Sequence, residues 1–240
     1  MRRTDKKYLH RIAIVIIPLI LFFWALKVYA DYSEDVEVRR LMGQRISYYK
    51  TNDLENRLQV YKAASDFKHP ITRKFALNLA SRNAGSYNLR QVFTIYDEVL
   101  NKWQYVNDPS SAELIAKASF SIETGLKGDC DDFAVTLSSL IQAIGGKTRI
   151  VNGFKKNASH AYTEVFIGDL SKKQEASYLI HKRYGRNYPK GLVIHYSQDS
   201  AGNYWLNLDW NTKHPGGKYF EATKQLIFYT SEGKYELKKK

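Results

Sequence analysis

The chain holds one cysteine in 240 residues, Cys130. No internal disulfide can form, so the fold has to stand on its hydrophobic core. With no cysteine pair and no His-x-x-x-His spacing, the sequence speaks against a structural zinc site. The 14 glycines include no phosphate-cradling loop. The acidic triplet Asp129, Asp131 and Asp132 lacks the glycine and distal glutamate of an EF-hand loop. No metal and no cofactor are therefore expected. Internal repeats and low-complexity tracts are also absent. The formal net charge is +13, but no compact Arg/Lys motif with base-reading geometry occurs, so no nucleic-acid partner is expected. The surplus reads as a solvated basic surface; an anionic partner such as membrane lipid or cell-wall polymer is the alternative.

The lone cysteine sits in Gly128-Asp129-Cys130-Asp131-Asp132-Phe133-Ala134. From there Phe133, Ala134, Leu137, Leu140, Ile141 and Ile144 recur at the spacing of a helix that buries one face. Gly145-Gly146 stops that helix. A sulfur at a helix N-terminus feels the positive end of the macrodipole, and a thiolate is a strong nucleophile. Cys130 is thus a candidate for covalent catalysis, against the plainer reading of a small buried hydrophobe. The neighbouring aspartates oppose a thiolate by like charge, so most of the lowering of the thiol pKa is expected from His160, as an ion pair, and not from the helix.

Cysteine catalysis needs an imidazole to take the thiol proton and a third group to orient it. His160 lies in Ser159-His160-Ala161-Tyr162-Thr163-Glu164-Val165, which reads as a strand opening after a polar turn. Asp209 lies in Tyr204-Trp205-Leu206-Asn207-Leu208-Asp209-Trp210, a second strand pattern. A helix-borne thiol, a strand-borne histidine and a strand-borne carboxylate can meet at one sheet edge.

The GDCDDFA string, the helix ending in Ile144-Gly145-Gly146, the Lys147–Phe154 strand, the His160 motif and Trp205–Asp209 occur in an order that resembles the transglutaminase-like superfamily. The resemblance spans roughly Asn88 to Trp210. It implies an α+β fold with a papain/transglutaminase-like core, in which N-terminal helices and a catalytic helix pack on an antiparallel sheet. It implies Cys130 as nucleophile, His160 as general base and acid, and Asp209 as the residue that orients His160. The family often carries Trp where this chain has Tyr162. An oxyanion hole would use the Cys130 N–H and a second donor. By the resemblance an upstream aromatic or amide lines the cleft, which makes Trp103, Gln104 and Tyr105 candidates; core packing is the other reading for Trp103 and Tyr105. The implied activity is attack on an amide through a thioester, as a peptidase or amidase of the cell envelope with a protein or peptide substrate. A cross-linking transamidase and a non-catalytic envelope binding module that keeps the fold are the alternatives.

The first 30 residues read as a separate element. Six basic residues and Asp5 give them a charge of +5, leaving +8 for the remainder. Ile12 to Ala30 reads as a membrane-spanning anchor, with Lys27 snorkelling. A signal peptide cleaved after Val28-x-Ala30 is the alternative. Both place the catalytic part outside the cytoplasm, anchored in one case and secreted or periplasmic in the other. Residues 31–87 read as helical segments that pack on the catalytic part or form a stalk, and 88–240 as the catalytic domain. Eighteen tyrosines and eleven phenylalanines suit a sheet-rich core. Strands are expected near Thr148–Phe154, Ala161–Ile167, Gly191–Tyr196 and Tyr204–Trp210. Ser171–Lys190 is expected to be a long polar connection.

Overall fold

A computed structural model describes residues 17–29, 46–48, 53–108, 114–188 and 191–239. The chain divides into two units, Met1–Gln44 and Arg45–Lys240. In the first, residues 17–29 form helix α1. Thirteen residues rise only about 20 Å, short of the ~30 Å hydrocarbon thickness. Among the described residues no helix is long and apolar enough to cross a membrane. The expected span from Ile12 to Ala30 is thus not supported; its residues 12–16 and 30 lie outside the described ones.

The second unit begins with β1 (Ile46–Tyr48), α2 (Leu54–Ala64), α3 (Pro70–Ala80) and α4 (Leu89–Lys102). Short pieces follow: β2 (Gln104–Tyr105), β3 (Leu114–Ala116), α5 (Ala118–Glu123) and β4 (Lys127–Gly128). Then come the long helix α6 (Cys130–Ala143), β5 (Thr148–Lys155), β6 (Ala158–Gly168) and α7 (Leu170–Tyr184). The chain closes with β7 (Tyr196–Gln198), β8 (Tyr204–Asn207), β9 (Lys224–Tyr229) and β10 (Lys234–Lys239). The fold class is α+β, with helices on an antiparallel six-stranded sheet ordered β10-β9-β5-β6-β8-β7.

Period-2 alternation divides the sheet into two apolar faces. Ile150, Ala161, Val165, Leu206, Leu226 and Phe228 turn toward the helices. Val151, Tyr162, Trp205, Ile227 and Tyr229 form a separate cluster on the other side. Helix α6 lies against the first face, and the Thr163 hydroxyl fastens it by donating to the Ala134 carbonyl at 2.6 Å. Leu58, Tyr61 and Ala64 of α2 and Ala76 and Leu79 of α3 are core residues of the same unit. The Asn152 amide donates to the Tyr61 hydroxyl at 2.7 Å, tying α2 to the central strand β5.

Three expectations need correction. Ser171–Lys190 is largely the helix α7, capped by the Asp169 carboxylate and buried only through Ala176, Ile180 and Tyr184. The strand expected at Gly191–Tyr196 is displaced: that stretch is irregular, and β7 starts at Tyr196. The His195 N–H donates to the Gly216 carbonyl at 2.7 Å and the Gly191 N–H to the Tyr188 carbonyl at 2.9 Å, isolated bonds and not a ladder. The strand carrying Asp209 ends at Asn207, so the carboxylate sits just beyond the sheet.

Candidate active site

The N-terminus of α6 is built tightly. Asp129 is its N-cap, and its carboxylate accepts from the Asp131 N–H at 3.2 Å. The Asp132 carboxylate reaches back to the Asp129 N–H at 3.3 Å, completing a capping box. Asp132 also accepts the Ala116 N–H at 2.7 Å, joining β3 to the helix. Gly128 precedes the cap at φ +148°, and a Cβ there would run into the Asp132 carboxylate. The sharp entry into α6 therefore requires glycine.

This turn leaves Cys130 partly buried, against the cluster that contains Ala134 and Ala161. The backbone N–H of Ala161 is close enough to the thiol to favour its ionised form. That donor is free for a reason legible in the sheet. The Leu208 N–H donates to the Thr163 carbonyl, so Thr163, and Ala161 two residues before it, turn their backbone groups toward β8. β8 pairs only with Glu164–Gly168 of β6 and does not reach Ala161. The open strand edge thus lies where Cys130 packs.

His160 is buried, with 8% of its surface exposed. Its Nε2 lies 2.8 Å from Asp209 Oδ2. The Asn211 amide lies 3.3 Å from the same nitrogen. Phe220 packs beside the imidazole with ring centres 5.6 Å apart, in space left by Gly153, where a Cβ would strike the Phe220 ring. Asp209 is itself fixed. Its N–H donates to Asn207 Oδ1, its carbonyl accepts from the Tyr96 hydroxyl at 2.9 Å, and its Oδ1 accepts the Asn211 N–H at 3.0 Å. A carboxylate on Nε2 assigns the proton to that nitrogen and leaves the Nδ1 lone pair as the base.

Burial pushes the Cys130 thiol up to about 12, and the nearby Asp131 and Asp129 carboxylates push in the same direction. This reverses the expected lowering by His160. Desolvation and two like charges outweigh the backbone N–H groups of Ala161 and Cys130, which act the other way. Asp131 is held well above the usual carboxylate range by burial, and Asp132 rises to about 7 for the same first cause. The three aspartates offer oxygens within 4.8 Å of one another, close enough to share a cation. Asp129 and Asp132 already serve the capping box.

The three upstream candidates separate. A parallel bridge between β2 and β4 draws Trp103–Tyr105 against the residues leading into Cys130. Trp103 donates its indole N–H to the Gly128 carbonyl at 3.1 Å and packs edge-on against Phe133. Its donor is spent on structure. Gln104 is exposed, and its backbone N–H is taken by Leu126. Tyr105 lies within electrostatic reach of the Cys130 thiol and stacks on Trp210 at 5.1 Å. A trough of about 500 Å³ runs from these two rings past Asn211 and Lys213. Trp210, Asn211 and Lys213 escaped the sequence reading because a loop carries no periodicity. Their one signal is position, within four residues of Asp209.

Residues 73–181 match the family described as the Transglutaminase-like superfamily. This is a little under half of the chain, and it contains Cys130 and His160. A structure from Cytophaga hutchinsonii named "putative cysteine protease" superposes with a TM-score of 0.40 at 17% identity, over 82% of this chain and 58% of that one. A structure from Parabacteroides distasonis ATCC 8503 named "putative protease" gives 0.34 at 14% identity, over 44% of this chain and 24% of that one. The chain therefore spans a quarter to somewhat over half of the length of these two proteins. Comparison with curated proteins gives no match.

Proposed function

We propose that the Arg45–Lys240 unit is a cysteine hydrolase that cleaves amide bonds in a protein or peptide through a thioester on Cys130. The carrying observation is the 2.8 Å contact between His160 Nε2 and Asp209 Oδ2, on the strand whose next residue, Ala161, belongs to the cluster Cys130 packs against. The transglutaminase-like match over residues 73–181 supports the same reading.

The raised thiol pKa sets the order of events. At neutral pH Cys130 rests as a thiol, so His160 acts as a general base during attack and not as the partner of a standing thiolate. Sγ adds to the substrate carbonyl carbon as its proton passes to His160 Nδ1. The carbonyl electron pair moves to oxygen, which faces the Cys130 N–H. Collapse expels the amine, which takes the proton from His160 and leaves a thioester. His160 then deprotonates water. The hydroxide adds to the thioester, Sγ departs and recovers a proton, and a carboxylic acid is released. Asp209 holds the imidazole and stabilises its charged form. The Tyr105 hydroxyl is the second oxyanion donor in this scheme, since Trp103 has spent its N–H on Gly128.

The test is incubation with an electrophilic amide probe followed by mass spectrometry. Wild type should gain the probe mass on the peptide containing Cys130, Cys130→Ala should gain none, and His160→Ala should label at least 100-fold more slowly. Equal labelling of wild type and His160→Ala would replace the enzyme with a binding module. Release of the acyl group to added amines in preference to water would make it a transamidase.

A further inference from the structure

The trough beside the nucleophile has a definite chemical character. Its wall is the stacked pair Tyr105 and Trp210, with rings tilted by only 26°. One end lies near His160, because Asn211, which lines it, sits 3.3 Å from His160 Nε2. At the rim stands Lys213, exposed and, among the described residues, without an ion-pair partner. Its backbone is in the left-handed region at φ +56°. The preceding Thr212 hydroxyl bonds both the Asp209 and His214 carbonyls, so the ammonium projects from a fixed base.

Charge runs in one direction along the cleft. Asp129, Asp131 and Asp108 act on Tyr105 at the helix side, and Lys213 supplies the positive end at the opposite rim. We infer that the trough is a subsite for a carboxylate carried by a peptide substrate, bound by the Lys213 ammonium at its rim. Methylenes leading to the carboxylate pack over the Tyr105–Trp210 rings, and the charge reaches the rim. A volume of about 500 Å³ accepts a side chain of glutamate size with its neighbouring backbone. Lysine and arginine side chains meet like charge there. This inference rests on the hydrolase reading for its substrate class, and its test does not depend on turnover.

The protein used is full-length Cys130→Ala, which binds without reacting, and the signal is tryptophan fluorescence. Matched peptides carry Glu, Gln or Lys at one scanned position, each with a free or amidated C-terminus. The Glu peptide should bind at least tenfold more tightly than the Gln peptide at one position, and the Lys peptide more weakly still. Lys213→Met should bring the Glu-to-Gln ratio close to one, Lys213→Arg should keep it, and Lys213→Glu should invert the order in favour of the Lys peptide. Dependence on the free terminus, with no Glu-to-Gln difference, would assign the carboxylate to a chain end and still support the subsite. Equal binding of all peptides, or an order unchanged by Lys213→Glu, would overturn it. Glutamate-selective binding with no labelling of wild type by the probe would sink the hydrolase reading alone. Labelling and cleavage with no carboxylate preference would sink the subsite alone.

Discussion

Cys130 illustrates how neighbours, and not residue type, decide reactivity. A helix N-terminus lowers a thiol pKa, yet here burial, Asp131 and Asp129 carry it up to about 12. Free alkylation by iodoacetamide should therefore be slow at pH 7 and climb without a plateau to at least pH 10. Asp131→Asn removes the largest charge effect and should speed alkylation at pH 8; an unchanged rate would show that burial alone sets the thiol. The imidazole is the second test at this scale. Asp209→Asn keeps a hydrogen-bond acceptor for Nε2 but removes the charge, so turnover should fall by about 100-fold or more, with KM much less affected. Cys130, His160 and Asp209 were legible as candidates because each sits in a short motif with its own local structure. Tyr105 was legible only as one of three adjacent candidates, since nothing in the string shows that β2 pairs with β4. Its neighbour Trp103 turns its donor to Gly128 instead.

The N-terminus of α6 couples pH to stability at the scale of the element. Asp132 titrates near 7 in the fold because it is buried, whereas its carboxyl in an unfolded chain titrates near 3.8. Below pH 3.8 both states are protonated and the group costs nothing. Between about 4 and 7 the unfolded chain releases this proton while the folded one holds it, so stability falls as pH rises through that window. Thermal unfolding should show a higher Tm at pH 5 than at pH 7.5, and Asp132→Asn should shrink the difference, leaving the part carried by Asp131, which burial also raises. An undiminished slope after that substitution would show that Asp132 does not carry it. Gly128→Ala should cost roughly 1–3 kcal/mol, read as a lowered denaturation midpoint, because the positive φ and the Asp132 carboxylate both reject a side chain. Helix α6 and strands β5 and β6 were readable because their apolar periods are clean and long. Helix α7 was not: only Ala176, Ile180 and Tyr184 are buried among its charges, so its stripe is too thin to stand out. β9 and β10 lie beyond the motif-bearing region and went unread. Their place is set by pairing β9 on β5, a contact of about 75 residues in sequence separation.

At the scale of the molecule, the helices ahead of the motifs are part of the core that holds the site. Tyr61 of α2 stacks on Phe228 of β9 at 4.7 Å and accepts a hydrogen bond from Asn152 of β5. Asp66 accepts from the Ser119 N–H and from the Thr72 hydroxyl, tying α5 and α3 to the α2–α3 turn. Tyr96 of α4 holds the Asp209 carbonyl from the far side of the chain. The site therefore needs both ends of the Arg45–Lys240 unit, although the family match ends at residue 181. A fragment comprising residues 45–240 should unfold in a single cooperative transition and keep the probe reactivity of Cys130. A fragment comprising residues 88–210, which holds every motif that carried the resemblance, lacks Tyr61 and Phe228 and exposes the apolar face of β5 they cover. It should show no cooperative transition in urea and no His160-dependent labelling. Retention of both by the shorter fragment would mean that the motif region folds independently and that α2, α3, β9 and β10 are accessories to it.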